Sequence, residues 1–565
     1  MSQDLSRQAT RYSKSSAFKR VIVQFNRARP FEVHGPRLAR LLGGAAGPRL
    51  RSIRGGSMLI PFRQLKRLAQ LPEVDWVSPD RDISAQWDYD VETIGADQVW
   101  ATTGVFGTDV RVAVLDTGVQ KSNDWKVVDG GTNRLAAWKD FVGGQKEPYD
   151  DNGHGSHVAG IVMGSGNATN VNKTGQRFTG VAPGAQLVAV KVLGKDGCGK
   201  VSTVIAGLDW CVENRAALKL RVINLSLGVY PRESYTTDPL CAAVRRAVQA
   251  GIVVVCSSGN RGKDSNGVVR FGGVSCPGNE PSVITVGALN TRETLSRLDD
   301  GVCTFSSRGP THIDNLVKPD VVAPGNKIVS VRSPGSHLDT AYRTNVVAQD
   351  ADYFTLSGTS MASAQVAGLA ALMLQANPSL APNTVKGIVM YTAQKLDLTD
   401  SLGLPLSPGL SLLSQGAGSV NAVGAMELAM SIDQSQPIGE RWLRKPLIRV
   451  TTIGGSTFPW AQRIPIGNRI YAGDLLMSIH QAIWSDQAVW SDQAVWSDQA
   501  VWSDSFVQSD QAVWSDQAVW SDQAVWSDNG VLMDQAVWSD QAIWSDAFVV
   551  GDNVVGAESV LAGGD

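Results

Sequence analysis

The chain has 565 residues, of which 43% are hydrophobic and 18% charged, with a formal net charge of −2. That length suits two to four domains. The near-neutral balance excludes a chain built as a whole for nucleic acid or an anionic membrane surface. No run of 18 apolar residues occurs, so no membrane span is expected, and the polar, basic start MSQDLSRQATRYSKSSAFKR shows no signal-peptide core.

In chain order, residues 1–17 are expected to be disordered. Residues 18–83 read as a small α/β unit: the strand signal Val21-Ile22-Val23-Gln24-Phe25, a helical stretch over 62–70, then the strand signal Val74-Asp75-Trp76-Val77. From 84 to about 430, strand signals (110–115, 187–192, 222–225, 252–256) alternate with helical runs (201–214, 239–250, 360–375). Strands alternating with helices of that length predict an α/β fold, a mostly parallel sheet with helices on both faces. Residues 431–480 show no periodicity and read as a linker. A hexapeptide repeat fills 481–552, and 553–565 form a C-terminal end.

The six cysteines, Cys198, Cys211, Cys241, Cys256, Cys276 and Cys303, all lie in the middle of the chain. No CxxC pair exists and the six histidines are scattered, so a structural zinc site is not expected. Disulfides in an oxidising compartment and buried free thiols both fit this pattern.

Three segments carry chemistry-bearing residues: Val112-Ala113-Val114-Leu115-Asp116-Thr117-Gly118, Asn152-Gly153-His154-Gly155-Ser156-His157, and Ser357-Gly358-Thr359-Ser360-Met361-Ala362-Ser363. A serine nucleophile needs a base, and the base needs a carboxylate that fixes its tautomer. A carboxylate at the C-terminal end of a strand suits that role, because active sites of open α/β sheets gather there. A serine opening a helix has amide N–H groups and the positive dipole end beside it, which favour an oxyanion. The order Asp, His, Ser is that of subtilisin. His157 reads as an ordinary helix-face histidine.

With these motifs, residues 84–430 resemble the catalytic domain of the subtilisin-like (subtilase) serine peptidases, proteinase K-like in style. Gly180-Val181-Ala182-Pro183-Gly184-Ala185, Asn224-Leu225-Ser226-Leu227-Gly228, Ser258-Gly259-Asn260 and Gly416-Ala417-Gly418 agree with that family. The resemblance implies that Asp116 orients His154, that His154 is general base and then general acid, and that Ser360 is the nucleophile. It further implies that the Asn260 amide and the Ser360 N–H bind the oxyanion, and that Ser226, Leu227, Gly228, Ser258 and Gly259 line the substrate site. No acidic residue lies in those segments, which implies broad, apolar or aromatic specificity. After Ser360 the chain reads Met361-Ala362-Ser363-Ala364-Gln365 where the family usually has Met-Ala-Thr-Pro-His; no reacting group is lost. The chemistry requires no cofactor. Structural calcium is an expectation of the family alone, since the loop 164–179 carries no carboxylate.

Residues 18–83 resemble the family's inhibitory propeptide, with cleavage expected near 84–87. The chain is then a self-cleaving precursor of a serine endopeptidase acting on proteins or peptides, with its own propeptide as intramolecular inhibitor. Extracellular or cell-surface placement follows from the leader and the cysteines; the missing signal peptide speaks for an intracellular enzyme instead. A degenerate surface binding protein is the competing class, and the intact Asp116, His154, Ser360 and Asn260 oppose it.

In the tail, Asp recurs every six residues from 486 to 552, and nine of the twelve hexads carry Trp. A step of six spreads Trp over three faces of a helix but keeps it on one side of a strand. The expectation is a β-repeat that attaches to a cell surface or glycan through aromatic stacking; a low-complexity disordered segment fits the composition equally.

Overall fold

The computed structural model describes residue 1 and residues 3–26, 31–50, 55–79, 90–127, 131–265, 267–400, 403–467, 469–473, 476–481, 484 and 554–557. The expected leader cleavage region and the repeats from 485 to 552 lie outside the described residues. The chain divides into two compact units, Met1–Trp87 and Asp88–Asp565.

In the first unit, strands β1 (Phe18–Phe25), β2 (Ala45–Leu50), β3 (Gly55–Pro61) and β4 (Val74–Pro79) form an antiparallel sheet in the order β2-β3-β1-β4. Alternation along β1 buries Val21, Val23 and Phe25. The helices Phe31–Leu41 and Leu65–Ala69 contribute Leu38, Leu65 and Leu68 to the same core. Residues 1–17 differ from expectation. Gln3–Arg11 is a helix, and Leu5 and Ala9, one turn apart, are buried in this core. Two apolar residues in a polar stretch were too weak a pattern to announce a helix.

The second unit is built on an eight-stranded sheet. Its strands are β5 (Arg111–Asp116), β6 (Leu135–Asp140), β7 (Gln186–Lys191), β9 (Leu220–Leu225), β11 (Val253–Ser257), β12 (Ile284–Asn290), β13 (Gly301–Val302) and β14 (Val321–Pro324). The order is β13-β12-β11-β9-β5-β7-β6, with β14 also on β12, and every pairing except β12 with β13 is parallel. The sheet is α/β, buried on both faces. Along β5, Val112 and Val114 join one core and Ala113 and Leu115 the other. The first core receives the helices His154–Met163 and Thr359–Ala376; the second receives Val201–Glu213 and Pro239–Gln249. Sixteen residues of Thr359–Ala376 are buried, as expected of a helix apolar all round.

Two short strands, β8 (Cys198–Lys200) and β10 (Leu227–Gly228), lie off this sheet, and β15 (Ile328–Val331) pairs with β16 (Tyr353–Leu356). The segment 431–480 is not a linker. It forms two hairpins, β17 (Val450–Ile453) with β18 (Ser456–Pro459) and β19 (Arg463–Ile466) with β20 (Arg469–Ala472). Trp442 and Trp460 from this segment are buried in the first core of the second unit. Four-residue strands are too short to show a periodicity, which is why the sequence looked irregular. Trp484, from the first hexad, also belongs to the body: its side chain is fully buried, and its carbonyl accepts the Thr384 hydroxyl at 2.7 Å. A Cβ on Gly387 would lie 2.7 Å from the Trp484 ring, so that glycine makes the ring's seat. Near the end of the chain, β21 (Val554–Ala557) fills the gap between β8 and β10.

Candidate active site

The sheet places Asp116 at the C-terminal end of β5, a strand paired on both sides. Its position, even-numbered like Val112 and Val114, is on the face covered by the helix that His154 opens. His154 Nδ1 lies 2.7 Å from Asp116 Oδ1, and both side chains are buried. Asp116 Oδ1 also accepts the Thr117 N–H at 2.7 Å. A carboxylate so held makes Nδ1 the protonated nitrogen and Nε2 the acceptor.

Close backbone approach makes this contact. A Cβ on Gly155 would lie 2.2 Å from the Gly118 carbonyl oxygen. Gly153, at φ +105°, starts the helix in a conformation that suits glycine.

The loop before His154 is organised by a residue that sequence reasoning missed. Asp150 is fully buried, and its carboxylate accepts five hydrogen bonds: the Thr117 hydroxyl, the N–H of Asn152, Gly153 and Ser156, and the Ser156 hydroxyl, at 2.7–3.2 Å. Thr117 Oγ1 in turn accepts the Gly155 N–H at 2.8 Å. Asp150 thus ties the strand carrying Asp116 to the turn carrying His154. The run Asp150-Asp151-Asn152-Gly153 just before the histidine is a turn signature that could have marked it.

Ser360 is the second residue of the helix Thr359–Ala376. Its hydroxyl lies 3.3 Å from the Ser226 carbonyl oxygen, a long contact for O–H···O. Ser226 Oγ donates to the Ser360 carbonyl at 2.9 Å and lies 2.8 Å from the Asn224 Nδ2 donor and 3.0 Å from Ser363 Oγ. Ser363 thereby joins the serine's helix to the end of β9.

Asn260 meets the same helix from the other side. Its Oδ1 accepts the Thr359 N–H and the Thr359 hydroxyl, both at 3.0 Å, and Thr359 Oγ1 accepts the Gly259 N–H at 3.1 Å. The N–H donor settles which end of the amide is oxygen, so Nδ2 faces Gly358; a Cβ there would come within 3.3 Å of it. Gly259, at φ +102°, would set a Cβ 2.4 Å from Ser275 Oγ. Ser258 donates to the Ser307 carbonyl at 3.3 Å. Leu227 and Gly228 form β10, next to Ser226. Asp116, His154, Ser360, Asn260, Ser226, Leu227, Gly228, Ser258 and Gly259 all lie at the ends of β5, β9 and β11 and the helices facing them.

His157 stays apart. Its Nε2 donates to the carbonyls of Phe354 (2.9 Å) and Ile328 (3.2 Å), and burial first of all pushes its pKa down to about 3. A neutral, backbone-bonded imidazole there is a packing residue.

The residues around the loop 164–179 do not fit a calcium ion. Asp124 and Asp350 flank it, but their oxygens accept the Ala168 N–H, the Tyr353 hydroxyl, and the N–H groups of Asn170 and Asp352. Carboxylates engaged by protein donors have little left for a hard cation. The six cysteines are free thiols, five of them buried; Cys241 and Cys276 approach to 3.6 Å. Among the described residues, no helix is long and apolar enough to cross a membrane.

The arrangement has the parts for acyl transfer: a carboxylate-oriented imidazole, a hydroxyl at a helix N-terminus, and a held amide beside it. A model of the subtilase family matches residues 107–418, more than half of the chain. The chain belongs to the subtilase family. It is therefore a subtilisin-like serine peptidase, a hydrolase. It is similar to the serine protease AprX of Bacillus subtilis (strain 168), 39% identical over 363 residues, a match spanning 63% of this chain and 75% of AprX. It is also similar to a thermostable alkaline protease of Halalkalibacterium halodurans, 30% identical over 59% of this chain and 76% of that one. Subtilisin DY of Bacillus licheniformis is 36% identical over 53% of this chain and 92% of its own length.

Proposed function

We propose that this subtilase is an endopeptidase of broad specificity, made as a self-cleaving precursor, which cuts proteins through an acyl-enzyme on Ser360. The buried 2.7 Å contact between His154 Nδ1 and Asp116 Oδ1 carries the reading.

Ser360 Oγ leaves its long contact with Ser226, gives its proton to His154 Nε2 and attacks the scissile carbonyl carbon. Asp116 stabilises the imidazolium without taking its proton. The oxyanion is bound by Asn260 Nδ2 and the Ser360 N–H, at the positive end of an 18-residue helix. His154 then protonates the leaving amine, and water, activated by the same imidazole, hydrolyses the ester. No cofactor enters this chemistry. Ser226, Leu227 and Gly228 supply the backbone edge that pairs with substrate, and Ser258 and Gly259 the wall of the first side-chain pocket. The lack of an acidic residue in both segments supports apolar or aromatic preference.

The leader unit, 18–83 with its added N-terminal helix, acts as intramolecular inhibitor and is removed by self-cleavage near 84–87. Its full-size sheet and separate core support that role. Placement is extracellular or at the cell surface on the support of the leader alone, the cysteines being free thiols, with the Trp-Ser-Asp repeats as attachment to a surface or glycan.

Expression of the full chain and N-terminal sequencing of what accumulates tests the precursor reading. A new N-terminus near 84–87, absent from Ser360→Ala, is expected. An unprocessed wild-type chain that hydrolyses no peptide contradicts it.

A further inference from the structure

The strands β8 and β10 pair with one element only among the described residues, and it comes from near the end of the chain. β21 lies between them, antiparallel to both. Ala557 is opposite Leu227 and Gly556 opposite Gly228; on the other side Gly556, Val555 and Val554 face Cys198, Gly199 and Lys200. β10 follows directly on Ser226, whose carbonyl lies 3.3 Å from Ser360 Oγ. Because β21 runs antiparallel to β10, its C-terminal end is directed toward Ser226 and Ser360.

We propose that Val554–Ala557 is a built-in, substrate-like segment that occupies the acyl-side cleft between β8 and β10 and competes with protein substrates for it. This rests on the reading above, in which Ser226–Gly228 pair with the substrate backbone. Strand addition of this kind takes its affinity from main-chain hydrogen bonds and so tolerates many sequences. Val-Val-Gly-Ala fits: it is uncharged, apolar and small. The tether fits too. Trp484 is seated in the core, and 69 residues separate it from Val554. A tethered segment on one chain reaches an effective concentration on the order of a millimolar. That suffices for a short strand of weak intrinsic affinity to fill the cleft most of the time, while a longer substrate with side-chain pockets displaces it.

The test uses the mature, leader-free full chain, alone and with Gly556→Pro, which removes a strand N–H; a chain ending before Val554 is the second variant. With a tetrapeptide anilide substrate, both variants should show KM lowered by about three- to tenfold at unchanged kcat. Intact mass should show either a retained segment or a self-made cut between 555 and 560, the trace of its having lain in the cleft. A segment retained with KM equal in all three proteins overturns the proposal, as does a tail lost only by cleavage upstream of 554. Anisotropy of a fluorescein-labelled Val-Val-Gly-Ala peptide on the same proteins reads the cleft without catalysis. Tighter peptide binding to both variants supports the proposal, and equal binding overturns it. Absence of hydrolysis by all three would instead count against the endopeptidase reading.

Discussion

Asn260 Oδ1 accepts both hydrogen-bonding groups of Thr359, the residue immediately before Ser360. The acceptor end of the amide is thereby engaged in holding the amide's orientation, and in the proposed mechanism an oxyanion meets the donor end. Asn260→Ala should lower kcat by roughly 10²–10³, a magnitude known for the corresponding change in subtilisin. Asn260→Asp keeps the acceptor but loses the donor, so it should be as impaired as Asn260→Ala, with KM little changed in both. Steady-state kinetics on a peptide anilide checks this.

Asp116→Asn preserves size and most contacts but presents an amide to His154 Nδ1. The wrong tautomer is then favoured. The same replacement in a serine protease of another fold costs about 10⁴ in kcat, and a loss of that order is expected here, with partial recovery at high pH in a kcat profile.

Asp150 is expected to act on stability first. Asp150→Ala leaves five donors without their buried acceptor, which should destabilise the catalytic unit by about 3 kcal/mol or more. Urea unfolding in a Ser360→Ala background, where self-digestion is absent, measures it.

Trp484→Ala should cost about 3–5 kcal/mol, as for other buried aromatics. The same urea experiment reads that loss. A change under 1 kcal/mol would mean that the Trp484 side chain is not seated in the core.

Asp300 gives a pH signature. Burial, the largest cause, raises its pKa from 3.8 to about 7, against the attraction of Arg297 and Arg292 and with the repulsion of Asp299. Between about pH 4 and 7 the folded chain keeps a proton that the unfolded chain has lost. Stability contributed by this group is therefore present at low pH and lost as pH rises to about 7. Asp300→Asn should flatten that fall, seen as a smaller difference in Tm between pH 5 and pH 7.5 in the Ser360→Ala background.

The sequence was most legible where function demands fixed residue types. The stretch from Val112 to Asp116 announces a buried central strand because valine, alanine and leucine run unbroken into a carboxylate. The glycines around His154 announce close backbone approach. Less legible was what depends on distant partners. Asp150 looks like one more polar loop residue until Thr117 and Ser156 fold onto it. Trp442 and Trp460 sit in a stretch with no period, Trp484 in a repeat whose period says nothing of burial, and only the tertiary core shows that they are buried. The pairing of Leu227 with Ala557 joins residues 330 apart, beyond the reach of any local pattern.

In the proposed mechanism Ser360 is a nucleophile activated through His154 and Asp116. Stoichiometric titration of the mature chain with a fluorophosphonate, followed by peptide mapping, tests it most directly. One label per chain is expected, on Ser360, with loss of peptide hydrolysis in proportion to labelling and strongly slowed labelling in Asp116→Asn. Labelling elsewhere, or full labelling with hydrolysis retained, would contradict it.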